Sequence, residues 1–285
     1  MITRQAPSLE PLIASEAERA KIELQRQQEQ KETISSTAEQ ARGLINQGKQ
    51  EKAVEIAFKC LQESSMIFGE DSIELMPLYF ELADGNLKMK KWQRAEGFLI
   101  GAHWTLLKHQ PGEGENSSNQ ETEEVLSKLR SRLLRSFGSL FTEIGNYEEA
   151  LKSLTENIYL ESVDKGPEHY SLSGSYYLMG NIFLKIEKKS EALSFYNQMN
   201  LIWKRFLSDP EAHGAHNIKK VDIEQACNEL NEVLIYIDKE LGEGSDLAAD
   251  IRQTLDKLYE FIIDLDKLAR NMGSKKDINA FDDEE

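Results

Sequence analysis

SRLLRSFGSLFTEIGNYEEALKSL, residues 131–154, and SYYLMGNIFLKIEKKSEALSFY, residues 175–196, carry one pattern twice. Leu134, Phe137, Gly138 and Phe141 precede Ala150 at the spacings at which Tyr176, Met179, Gly180 and Phe183 precede Ala192, 42 residues further on. A large, large, small, large motif followed by a distant alanine, repeated in register, is the mark of stacked helical hairpins. Two antiparallel helices that cross at about 8–10 Å need small residues at the crossing. The reading therefore expects Gly138 to face Ala150 in one hairpin and Gly180 to face Ala192 in the next.

The same interval relates Ala95 in KKWQRAEGFL to Ala53 in GKQEKAVEIA, with Ala83 and Ala41 twelve residues before each. Four hairpins result over residues 34–207. Between Ala95 and Ala150 the interval is longer, and the excess is placed in an insertion loop at 111–124. The unit exceeds the roughly 34 residues of a plain tetratricopeptide repeat, as if both helices were extended. The fold class expected is all-α, a tetratricopeptide-like helical solenoid. A tail and a charged helix occupy 1–33, where Ser15 and Glu18 form a capping box. After Lys204 the period fails. Stripes at Val221, Leu230, Leu234, Ile237 and Leu241, then at Leu247, Ile251, Leu255, Leu258, Ile262 and Leu265, predict a helical pair over 208–274 that caps the last apolar face. An acidic, disordered tail is expected at 275–285. Trp104 and Tyr159, each nine residues after a crossing alanine, are expected to pack between successive repeats.

With 34 basic against 50 acidic side chains, the net charge of −16 repels phosphate backbones and anionic lipid. Nucleic acid and membrane surfaces are thereby excluded as partners, and little direct contact with acidic tubulin is expected. No apolar run approaches the ~18 residues of a membrane span, and the N-terminus lacks the apolar core of a signal peptide. A cytoplasmic location follows as an expectation. Cys60 and Cys227 are too few for a disulfide framework or a structural zinc site, and Cys60 reads as a buried thiol. His213 and His216 lack a third ligand nearby, Gly112 and Gly114 flank glutamates that would repel phosphate, and Glu148 and Glu149 sit on an outer turn. No nucleophile stands beside a base in the sequence. The chain reads as a non-enzyme without catalytic residues, metal or cofactor.

Repeats of this kind offer a groove lined by the first helix of each hairpin. Counting from the crossing residues, the groove positions are Phe80 and Asp84, then Arg132, Arg135 and Ser139, then Tyr177 and Asn181. Arg132 and Arg135, one turn apart in an acidic chain, could pair with a partner's carboxylates or simply balance nearby glutamates. The Lys and Asn clamp with which some repeat proteins hold chaperone tails is not reproduced.

The segments SEAERAKIELQRQ (15–27), FGEDSIELMPLYFELADGNLKMKKWQRAEGFLIGAHWTLLK (68–108), NYEEALKSLTENIY (146–159) and SGSYYLMGNIF (173–183), with Ile202 and Trp203, resemble the zinc finger MYND domain-containing protein 12 family. That resemblance implies a ciliary or flagellar axonemal scaffold that helps assemble or tether an inner-arm dynein. The partners it implies are a dynein heavy chain and a second repeat protein, similar to tetratricopeptide repeat protein 29. The family's zinc finger is not reproduced by Cys60 and Cys227, so its zinc function is not carried over. Two other readings stay open. One is a soluble adaptor of kinesin-light-chain type, though its long N-terminal heptads are absent. The other is an enzyme whose site assembles only in space.

Overall fold

The computed structural model describes residues 16–110, 120–211 and 218–279. Among them stand ten α-helices and no strand: α1 (Glu16–Asn46), α2 (Gln50–Phe68), α3 (Met76–Lys88), α4 (Trp92–Lys108), α5 (Gln120–Ile144), α6 (Tyr147–Lys165), α7 (Ser173–Lys185), α8 (Lys189–Ser208), α9 (Lys220–Leu241) and α10 (Asp246–Asn279). Each of the first eight pairs with its neighbour as an antiparallel hairpin, and the whole is a tetratricopeptide-like helical solenoid. The first helices α1, α3, α5 and α7 lie side by side as an inner layer, and α2, α4, α6 and α8 cover them from outside.

The turn inside every hairpin places a left-handed residue at one repeat position: Gly48, Lys90, Gly145 and Glu187, with φ of 76°, 57°, 82° and 63°. Glycine suits this conformation and a side chain strains it. That Lys90 and Glu187 adopt it shows the hairpin crossing, rather than the local residue, dictating the turn.

Alanines at the crossing positions, Ala41, Ala53, Ala83, Ala95, Ala150 and Ala192, are almost wholly buried. The facing pairs differ from expectation. A Cβ on Gly138 would lie 2.6 Å from Leu154 Cδ2, and one on Gly180 2.7 Å from Tyr196 Cδ1. Each glycine thus receives a large side chain from one turn beyond the alanine, while Ala150 clusters with Met179 and Ile182 of the next hairpin. Close approach is achieved by knob into notch rather than small against small.

Three boundaries also shift. The charged helix expected to end at 33 runs on into the first hairpin, so that α1 is one helix and the 33/34 boundary falls within it; Ser15 lies outside the described residues. Most of the excess assigned to a loop at 111–124 instead lengthens a helix. Gln120, the start of α5, precedes Gly138 by 18 residues, whereas Met76 and Ser173 precede Ala83 and Gly180 by seven. Residues 111–119 lie outside the described residues. The C-terminal pair is α9 and α10, and α10 continues to Asn279, past the expected end at 274.

The largest hydrophobic cluster joins Tyr196, Trp203 and Phe206 of α8 to Ile223, Leu230 and Ile237 of α9 and to Ile251 and Leu258 of α10. The pair therefore covers the last hairpin, as a cap must. It does more, because α9 also packs against α7 and α1, the last and first members of the inner layer. Among the described residues no helix is long and apolar enough to cross a membrane.

Candidate functional site

The groove is where the sequence directs attention, and the chain fills it with α9. Arg42 on α1 reaches Asp222 on α9 at 2.5 Å, Asn46 Nδ2 donates to the Val221 carbonyl at 3.1 Å, and Asn228 Nδ2 donates back to the Asn46 carbonyl at 3.2 Å. Lys219 pairs with Glu39 beside them. At the other end Tyr177 on α7 donates its hydroxyl hydrogen to Glu232 of α9. The contacts with α1 join residues 175 to 182 positions apart, whereas Tyr177 and Glu232 are 55 apart.

Beneath α9 lies an ionic centre built on Glu81, whose side chain is 0% exposed. Its Oε1 accepts from Arg42 Nε at 3.1 Å and Nη2 at 2.8 Å, and from Arg132 Nη2 at 2.6 Å. Among the described residues its Oε2 has no hydrogen-bond partner. Two guanidinium groups on one buried carboxylate oxygen form a triad whose members depend on one another for neutralisation. Burial works against the charge of Arg42, but Glu81 and Asp222 outweigh it and raise the guanidinium pKa further. Asp84, 3.8 Å from Arg132, has its pKa raised by burial despite that arginine.

Of the groove positions read from the sequence, Phe80, Asp84 and Arg132 come together at this centre, while Tyr177 and Asn181 lie apart from it on α7. Phe80 is buried and carries the Arg132 guanidinium 4.9 Å above its ring centre. Tyr177 is buried, and burial together with Glu232 raises its pKa. Asn181 accepts from the Tyr196 hydroxyl at 2.6 Å. Arg132 balances Glu81 and Asp84, the second of the two roles open to it. Arg135 makes one long hydrogen bond, 3.5 Å, to the Ser171 carbonyl. Arg42 was not singled out in the sequence, yet it occupies in the first repeat the position of Asp84, Ser139 and Asn181. Carrying the register one repeat further back would have found it. Glu81 and Asp222 offered no such signal.

A second polar knot lies at the junction of α5, α6 and α7. Glu161 accepts from the hydroxyls of Ser131 and Ser171 and pairs with Lys165 at 3.3 Å. Burial opposes its ionisation, but Lys165 and the two hydroxyls outweigh that and hold its pKa below the usual carboxylate value. His169 Nδ1 stands 2.8 Å from Ser171 Oγ and accepts the Ser171 backbone N–H at 3.2 Å. This is the nearest approach to a nucleophile beside a base. The serine hydroxyl donates its hydrogen bond to Glu161, however, and the imidazole accepts the Ser171 backbone N–H, so this is not a serine paired to a histidine base. Burial pushes the Cys227 thiol up to about 12, which removes its reactivity as a thiolate. Among the described residues no three His, Cys, Asp or Glu side chains could hold a metal; His213 and His216 lie outside them.

The outer layer is the reverse of the groove. Trp104 is 61% and Tyr159 67% exposed, so neither packs between repeats as expected. Their position points away from the inner layer. On α4, Ile100, Trp104 and Leu107 fall on one face at helical spacing, beside Gly97 and Gly101. A Cβ on Gly97 would meet nothing within 4 Å, and one on Gly101 only Tyr79 at 3.9 Å. Val163 continues the exposed face of α6, as Phe58 and Met66 do on α2.

No protein-family model matches the chain. Among curated proteins, a segment of 63 residues is 35% identical to protein O-mannosyl-transferase TMTC2 of Mus musculus. The match covers 22% of this chain and 7% of that protein.

Proposed function

We propose that this chain is a non-catalytic interaction scaffold working through its outer helices, and that it serves in the axoneme of a cilium or flagellum. The observation that carries the first part is the Ile100, Trp104 and Leu107 face of α4, exposed while the groove is occupied by α9. Large exposed side chains of this kind, and Trp above all, are what interface hot spots are made of. Exposed Gly97 and half-buried Gly101 beside them give away helix stability with little packing return inside the chain. They leave room for a partner's backbone to come close.

The second part rests on the family resemblance, whose segments include AHWTLLK at 102–108 and so the stripe itself. On this reading the chain is an accessory subunit that tethers an inner-arm dynein through a second tetratricopeptide protein. Purified axonemes extracted with high salt should release the chain together with that dynein and the second repeat protein. In cells lacking the chain, the dynein should be lost while outer arms remain. Restoring the chain with Trp104→Ser and Leu107→Ser should leave it folded but unretained. Normal inner-arm content in cells without the chain would sink the dynein assignment, and full retention of the double variant would sink the assignment of the face.

A further inference from the structure

The repeat register allows the four outer helices to be compared position by position, and one of them differs. On α4 the face turned away from the core runs Gln93, Gly97, Ile100, Gly101, Trp104 and Leu107, with no charge until Lys108, which pairs with Asp71. At the positions of Gln93, Gly97 and Gly101, α2 carries Glu51, Glu55 and Lys59 and α6 carries Glu148, Lys152 and Glu156, while α8 has Lys204 in place of Leu107. A charged outer face is the ordinary solvated one. Only α4 leaves all of these positions uncharged, and it fills three of them with Ile100, Trp104 and Leu107, each more than 40% exposed. Gly97 and Gly101, one turn apart on that face, form a notch between these side chains. Residues four apart set the ridges and grooves by which helices interlock, so a notch at this spacing fits another helix.

The approach to α4 has a charge of its own. KMKKWQR, residues 88–94, holds four cations and no acid in a chain of net charge −16, whereas its counterpart before α6, EIGNYEE at 143–149, holds three acids and no cation. Lys90, Lys91 and Arg94 are exposed and form no ion pair among the described residues; Lys91 Nζ reaches only Met89 Sδ, at 3.6 Å. Glu96, by helical spacing, lies on the other flank of the stripe from Arg94. Three unpaired cations thus stand where an uncharged, notched stripe begins.

We propose that α4 is the docking site of an amphipathic helix from a partner protein, apolar along one face and acidic at the end that meets Lys90, Lys91 and Arg94. This rests on the outer-face scaffold reading and adds the chemistry of the partner. A second copy of the chain fits less well, because it would bring one net charge of −16 onto another, whereas a short helix carries its acids to the one end of the face that attracts them.

The test presents the full chain to a phage-displayed library of helical peptides varied along one face and at both ends. Enriched peptides should share apolar residues at i, i+3, i+4 and i+7 and acids at one end, and the most enriched of them, made synthetically, is the probe for anisotropy titration. Trp104→Ser with Leu107→Ser should weaken its binding by about tenfold or more. Gly97→Gln with Gly101→Gln, which fills the notch, should do the same with helicity unchanged by circular dichroism. Lys91→Glu with Arg94→Glu should weaken the acidic probe several-fold and favour a probe whose acids are replaced by lysines; such a reversal requires a folded chain, so it separates specificity from loss of structure. The proposal is overturned if no peptide is enriched, or if binding ignores Trp104 and Leu107. Binding that needs those two residues but ignores the charge reversal overturns the acidic helix and leaves the outer-face reading standing. A dimer of the unaltered chain by light scattering, dissociated by Trp104→Ser with Leu107→Ser, overturns the proposal in favour of a second copy.

Discussion

The two faces of the solenoid invert the usual distribution of side chains. Its groove buries a carboxylate, Glu81, between Arg42 and Arg132, while its outer helices expose Trp104, Tyr159, Val163 and Ile100. Each departure from the rule of apolar inside and polar outside is the informative kind. The groove can hold charge because α9 lies over it and supplies Asp222 as a further counter-ion. The outer layer can show apolar surface without loss of fold because its inward residues, Ala95, Leu99, Ala102 and Leu106 on α4, already complete the core. In this chain the groove is therefore occupied by the chain's own helix, and the exposed apolar surface is outside.

The largest effect that would break this contrast is at Glu81. Glu81→Ala removes the carboxylate that two crowded guanidinium groups share, leaving Asp222 to Arg42 and the more distant Asp84 to Arg132, and should cost about 3–5 kcal/mol in urea unfolding. Glu156→Ala removes an exposed pair with Arg130 and should cost at most about 1 kcal/mol. Similar costs at the two sites would show that the groove does not behave as a buried interior.

Glu161 tests the same idea through pH. Its pKa is depressed in the folded state, so the folded chain holds fewer protons there than the unfolded chain does. The stability it contributes is present above the ordinary Glu value of about 4.3 and is lost as pH falls through the depressed value. Glu161→Gln should cost about 1.5–3 kcal/mol at neutral pH, and the gap between variant and wild type should close as pH falls below that value and wild-type Glu161 protonates. A gap unchanged by acid would mean the carboxylate contributes by shape alone.

Glycines sharpen the comparison. Gly180→Ala drives a methyl into the Tyr196 ring and should cost about 1–3 kcal/mol. Gly97→Ala, with open space beside it, should raise stability by about 0.5–1 kcal/mol. Thermal midpoints moving in opposite directions are the expected result, and a destabilising Gly97→Ala would place that residue in a packed face after all. The smallest effect on stability is at Trp104, where Trp104→Ser should change unfolding free energy by no more than about 0.5 kcal/mol. A loss beyond that would mean the indole is part of the core.

The sequence by itself determined the repeat, its 42-residue period, the crossing positions and the C-terminal pair, because helical hairpins store their packing in local periodicity that a single chain displays. It also held Arg42 in plain register with Asp84, Ser139 and Asn181, one repeat earlier than the reading carried it. It did not hold the partners of those residues. Gly138 meets Leu154 rather than Ala150 because a small residue marks where helices approach without saying which knob fills the notch. Most of the 13-residue excess became helix in α5 because nothing in a polar segment fixes where a helix begins once its neighbours can extend it. Above all, only the tertiary structure decided that α9 closes the groove. Asp222 finds Arg42 and Val221 finds Asn46 because the curvature of four stacked hairpins brings the two ends of the inner layer within one helix length. Such curvature is a sum of small rotations over the whole solenoid, and no stretch of sequence carries it alone.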